Sequence, residues 1–89
     1  MHRDLKPHNL LFEENETSGQ ITIKLTDFGF ATKYEQDEML KTQIGSPAFM
    51  APEMCRKEEY DSSVDIWAAG VITYQLLTGQ RPFEGKFLD

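Results

Sequence analysis

The chain has 89 residues, of which 39% are hydrophobic and 27% charged, and its formal net charge is -6. That length allows at most one small domain, and that balance of apolar and charged residues excludes disorder along the whole chain. The acidic balance, with no stripe of Lys and Arg, gives no expectation of a nucleic-acid partner.

Residues 1–9 carry Pro7, His2, His8 and mixed charges, and read as a loop. The start, Met1-His2-Arg3-Asp4, is too polar for a signal peptide. Leu10-Leu11-Phe12-Glu13 and Gln20-Ile21-Thr22-Ile23-Lys24-Leu25 read as short strands. The polar run 14–19 between them predicts a β-hairpin. Residues 26–52 show no sustained period and contain Gly29, Gly45, Pro47 and Pro52; such long irregular segments in compact proteins are usually functional or disordered. One or two helical turns are expected over 53–58, where the single cysteine, Cys55, reads as an inert thiol in a reducing compartment, cytoplasm or nucleus. His2, His8 and Cys55 fit no compact zinc spacing.

The clearest helix is predicted over 62–79. Ser62 with Asp65 three residues on resembles a capping box, and Gly79 supplies the stop. Its apolar residues, from Val64 to Leu77, occupy every face, a pattern that belongs in the middle of a core. Interrupted by Asp65, Thr73 and Gln75, this stretch is too short to span a bilayer, so no membrane partner is expected.

Chemistry concentrates in His2-Arg3-Asp4-Leu5-Lys6-Pro7-His8-Asn9 and in Asp27-Phe28-Gly29. The first stretch resembles the catalytic loop H-R-D-x-x-x-x-N of the protein kinase family, and the second its D-F-G motif. Met50-Ala51-Pro52-Glu53 resembles the A-P-E that closes the activation segment, and Asp65-Ile66-Trp67-Ala68-Ala69-Gly70 the family's central helix. Each string is weak alone; together, in order, they resemble a eukaryotic-type serine/threonine kinase over essentially the whole chain, and the calcium/calmodulin-dependent group in general look. The implied fold is α+β, a partial kinase C-terminal lobe with catalytic loop 1–9, hairpin 10–25, activation segment 27–53 and central helix 62–79.

The resemblance implies ATP and Mg²⁺ as cofactors and a protein Ser/Thr hydroxyl as acceptor. Phosphoryl transfer is mostly positioning and charge neutralisation, so hard oxygen ligands suit it. Asp27 and Asn9 are the expected metal ligands, and Leu11 the expected floor under the adenine. Asp4 is expected to accept the substrate hydroxyl proton; a carboxylate is a weak base at neutral pH, so its work is chiefly orientation. Lys6 would reach the transferred phosphate as a point charge, and its presence goes with serine/threonine rather than tyrosine kinases. Pro7 keeps Lys6 out of a helical conformation. His2 is expected to be structural and near Phe28 of the Phe28-Gly29 pair, and Asp65 to hold the backbone of His2 and Arg3, with interaction at the helix N-terminus as the alternative.

Regulation is implied as well. Arg3 before Asp4 implies control by phosphorylation of the activation segment, with Thr42 as the site for an upstream kinase and Arg3 as the partner of its phosphate. Gly45-Ser46-Pro47 resembles the substrate-docking loop. His8 and Gln75 stand where basic-directed relatives carry Glu, so no basic consensus is expected.

Neither G-x-G-x-x-G nor V-A-I-K precedes Asp4, and the usual arginine partner of Glu53 is missing. The expectation is therefore a piece of a longer kinase, inactive alone, exposing its apolar helix and lacking a cooperative thermal transition. The alternative is a truncated, non-catalytic module that binds a kinase or its partners. A small-molecule phosphotransferase is disfavoured by the long segment ending in Ala51-Pro52-Glu53.

Overall fold

A computed structural model of the chain describes residues 1–33, 35 and 39–83, so positions 34 and 36–38 of the expected activation segment lie outside the described residues. Its elements are a 3-10 turn at Pro7–Asn9, strands β1 (Leu10–Glu14) and β2 (Ile21–Leu25), a second 3-10 turn at Pro47–Phe49, and helices α1 (Pro52–Cys55) and α2 (Ser63–Thr78).

The hairpin forms as the two strand segments and the polar run between them predict. β1 and β2 pair antiparallel from Leu10 with Leu25 to Glu14 with Ile21. Asn15 organises the connection: its Oδ1 accepts from the amides of Thr17 at 2.9 Å and Ser18 at 3.0 Å. Leu10 is half-buried and packs on the core; Leu11, Phe12, Ile21, Ile23 and Leu25 remain exposed. An isolated two-stranded ribbon is marginal in water, so this hairpin depends on its base. The base is secured by the Thr26 amide, which donates to the Asn9 carbonyl at 2.9 Å and continues the ladder into the loop.

The core lies where α2 meets the stretch before it. Val64, Ala68, Val71 and Ile72 are the buried residues of the helix, at the i, i+4, i+7, i+8 spacing of one helical side. Phe49 joins Ala68, Val71 and Ile72, with Leu5, Leu10, Ala48 and Trp67 around them. A neighbouring cluster joins Ala51, Met54, Tyr60 and Val64. Burying each Val, Ile, Phe or Met side chain contributes about 1.5–3 kcal/mol. The helix is apolar on every face, as the sequence shows, yet buries one side; Ile66, Tyr74, Leu76 and Leu77 face out, Leu77 with 82% of its surface exposed.

The two ends of α2 differ in how well they were foreseen. Gly79 stops the helix as expected: at φ 78° it occupies the left-handed region, and its N–H returns to the Gln75 carbonyl at 2.8 Å. The expected capping box of Ser62 and Asp65 does not form. Ser62 is itself near-helical and makes no side-chain cap bond. Asp61 takes that place, its Oδ1 accepting from the Ser63 amide at 3.0 Å and from the Ser63 hydroxyl. These bonds hold the Asp61 carboxyl below its usual range, the hydroxyl contributing most and the amide next. Asp65 is thereby left for a distant partner.

Candidate active site

Asp65 reaches back across the chain. Its Oδ2 accepts from the His2 amide at 2.7 Å and its Oδ1 from the Arg3 amide at 2.9 Å. One carboxylate satisfying two adjacent amides fixes the loop to the first turn of α2. Arg3 is held at φ 73°, in the left-handed region that a non-glycine residue enters at a cost of about 1–2 kcal/mol. Asp65 thus holds a strained residue directly before Asp4. The expected tie to His2 and Arg3 is present, and the helix-end alternative is unnecessary.

His2 is buried and uses both ring nitrogens. Its Nδ1 accepts from the Asp4 amide at 3.1 Å, so Nε2 is the nitrogen that donates to the Thr26 carbonyl, 2.9 Å away. The ring also meets the Phe28 ring edge-on, with centroids 4.7 Å apart. Thr26 is thus bonded to the loop at its amide by Asn9 and at its carbonyl by His2, and the next residue is Asp27. Asp27 is exposed and left-handed at φ 56°, with its Oδ1 accepting from the Gly29 amide at 3.2 Å. A Cβ on Gly29 would stand 3.2 Å from that oxygen, tighter than ordinary contact.

Asp4, Lys6 and Ser46 converge. Asp4 is buried, with 8% exposure. The Ser46 hydroxyl donates to Asp4 Oδ1 at 3.0 Å, and Lys6 Nζ donates to Ser46 Oγ at 3.0 Å. Lys6 Nζ also stands 3.9 Å from Asp4 Oδ2, a loose ion pair that leaves this oxygen available. Asn9, buried in the 3-10 turn, donates from Nδ2 to the Asp4 carbonyl at 2.8 Å. That bond spends the donor end of the amide and leaves the acceptor end for an outside partner. A neutral oxygen on Asn9 and an exposed carboxylate on Asp27 suit a hard divalent cation that takes its remaining ligands from phosphate and water.

Gly45 explains how Ser46 comes so close to the loop. It has φ +107°, and a Cβ there would lie 2.5 Å from the Arg3 carbonyl oxygen. Only a residue without a side chain fits.

Other expected residues lie apart. Leu11 is open on the hairpin opposite Lys24. The Glu53 carboxylate meets no cation among the described residues. Thr42 is exposed and does not bond to Arg3 directly. Between them stands Tyr60, whose hydroxyl accepts from Arg3 Nη1 at 3.0 Å and donates to the Thr42 carbonyl. Sequence reasoning missed Tyr60; the available signal was a tyrosine alone in a charged run, because a buried phenol needs a partner. It also missed Gln43, whose Nε2 donates to the Met54 and Cys55 carbonyls at 3.2 and 3.1 Å and caps α1. Cys55 stays peripheral: partial burial pushes its thiol up, the Arg56 charge opposing and Glu53 adding, so it is a poor nucleophile.

The chain matches the protein kinase domain over residues 1–87. It is 47% identical over 86 residues to the serine/threonine-protein kinase ATG1a of Arabidopsis thaliana, covering 97% of this chain and 13% of that protein. Against the human SNF-related serine/threonine-protein kinase, identity is 48% over 85 residues, covering 94% and 11%. With human serine/threonine-protein kinase ULK1 it is 42% over 90 residues, covering 97% and 9%. The chain therefore spans about an eighth or less of the length of these relatives. With a loop tied by Asp65, an Asp4–Ser46–Lys6 cluster and a match over nearly its whole length, the chain belongs to the protein kinase family.

Proposed function

We propose that a protein carrying these 89 residues transfers phosphate from Mg-ATP to a serine or threonine hydroxyl of a protein. The observation that carries this reading is the convergence of Lys6 and Ser46 on Asp4, with Asn9 bonded to the Asp4 carbonyl. In it, residues 1–9 act as catalytic loop and 27–53 as activation segment.

Bound Mg-ATP supplies the phosphoryl group and the charge that neutralises it. Asp4 supplies the direction of attack: Oδ2 accepts the substrate O–H while Ser46 holds Oδ1. As the new O–P bond forms and the bond to ADP breaks, the hydroxyl proton passes to Asp4 and then to water. Lys6, fixed on Ser46, stands beside this path as a positive charge. Asn9 and Asp27 would hold the metal, and Leu11 would lie under the adenine. Phosphorylation of Thr42 by an upstream kinase places its phosphate near Arg3, with Tyr60 between. The exposed apolar positions Ile66 and Leu77 support action within a larger kinase domain that covers them.

A test uses a complete kinase domain containing residues 1–89, incubated with radiolabelled ATP, Mg²⁺ and a protein substrate. Label is expected on serine or threonine and a fall of about 10³-fold or more in Asp4→Asn. Full activity in Asp4→Asn refutes the assignment; full activity in Thr42→Ala removes the regulatory part alone.

A further inference from the structure

Tyr60 holds more of this site together than any motif residue would suggest. Its ring is 2% exposed and packs with Ala51, Met54 and Val64. Its hydroxyl joins Arg3 Nη1 to the Thr42 carbonyl. Its backbone pairs with Leu40 in both directions, at 2.8 and 2.7 Å. Arg3 Nε donates meanwhile to the Phe30 carbonyl at 2.8 Å, so the guanidinium is used on two sides.

The stretch 40–46 is therefore fastened along its length. Leu40 and Thr42 are held by Tyr60, and Gln43 by the end of α1. Gly45 rests on the Arg3 carbonyl, and Ser46 bonds to Asp4. One end of this run touches the loop directly, the other is held by Tyr60, and the phenol is the point where loop and segment share one atom. Loss of that oxygen leaves Arg3 Nη1 without its acceptor and the Thr42 carbonyl without a donor, while the ring keeps its packing.

We infer that Tyr60 is a positioning residue for phosphoryl transfer, coupling the placement of Arg3, and so of Asp4, to the segment that carries Ser46. The inference rests on the kinase reading above. Its mechanism predicts a selective effect. Tyr60 touches nothing assigned to the nucleotide, so Tyr60→Phe disturbs the protein substrate's site and leaves the nucleotide's site intact.

The experiment compares wild type with Tyr60→Phe in a complete kinase domain, by steady-state kinetics and by amide hydrogen exchange. Loss of two partly buried hydrogen bonds, one to a charged group, is expected to lower kcat/KM for the protein substrate about tenfold, with KM for Mg-ATP within about twofold. Amides 40–46 are expected to exchange about tenfold faster, those of α2 at an unchanged rate. An unchanged kcat/KM, or a uniform loss in which α2 exchanges faster as well, overturns the inference. If the wild type transfers no phosphate, the kinase reading fails, and exchange alone decides whether the tie exists. Should Tyr60→Phe not fold, Arg3→Lys removes the same contact while keeping the charge; unchanged exchange in 40–46 there overturns the coupling.

Discussion

Replacing Asp65 with Asn is the sharpest test of how the loop is held. The carboxylate accepts from two consecutive amides, His2 at 2.7 Å and Arg3 at 2.9 Å. Hydrogen bonds to a charged group contribute roughly 1.5–3 kcal/mol each. Asparagine offers a single oxygen, so one amide keeps a neutral bond and the other faces an NH₂ that also donates. One charge-assisted bond is lost and the second weakened, together about 2–4 kcal/mol. Arg3 is the residue that gains from release, because its φ of 73° is then free to relax. Once it relaxes, Asp4 and its amide bond to His2 move with it. The expected result in a complete kinase domain is a fall in kcat of roughly 30- to 900-fold, the range that 2–4 kcal/mol implies. Urea unfolding of the same variant should show a stability loss of that size. A kcat within threefold of wild type, in a variant that unfolds normally, would refute the view that Asp65 sets the loop.

Gly45→Ala places a Cβ 2.5 Å from the Arg3 carbonyl oxygen at a φ that L residues rarely adopt. A loss of about 2–4 kcal/mol is expected, read as a lower thermal midpoint with weakened protein phosphorylation; an unchanged midpoint would show that the segment does not need the close approach. Asp61 should make stability depend on acid. Its folded carboxyl is held low by the Ser63 hydroxyl and amide, so its contribution is full above the unfolded value of about 4. The contribution is lost as pH falls through the folded value. Urea midpoints for wild type should drop more steeply than for Asp61→Asn below that pH, and parallel profiles would dismiss the cap.

Local elements were legible because their causes are local. The hairpin follows from two short apolar-rich segments around a polar turn, and the helix stop from Gly79, whose conformation few other residues accept. Catalytic candidates were legible as strings. Their cohesion was not, because it depends on contacts between distant positions. Nothing near Tyr60 shows that its hydroxyl will meet Arg3, 57 residues away. Asp61 rather than Ser62 supplies the cap, and the second half of the expected box, Asp65, is bonded to His2 and Arg3, more than sixty residues away. Likewise, with apolar residues on every face of α2, period alone could not say that Val64, Ala68, Val71 and Ile72 would turn inward.

The bond between Asp65 and the His2 amide also closes a span of 63 residues. Bringing such distant points together carries an entropy term of roughly 4 kcal/mol, growing only slowly with length. The hairpin, whose partners are a few residues apart, can form early in folding. The catalytic loop cannot be held in its strained shape until the first turn of α2 exists. Within this chain, residues 1–9 precede by more than fifty positions the helix that fastens them. The loop's shape is therefore conditional on the docking of a segment far along the chain, so anything that loosens the first turn of α2 loosens residues 2–4 as well.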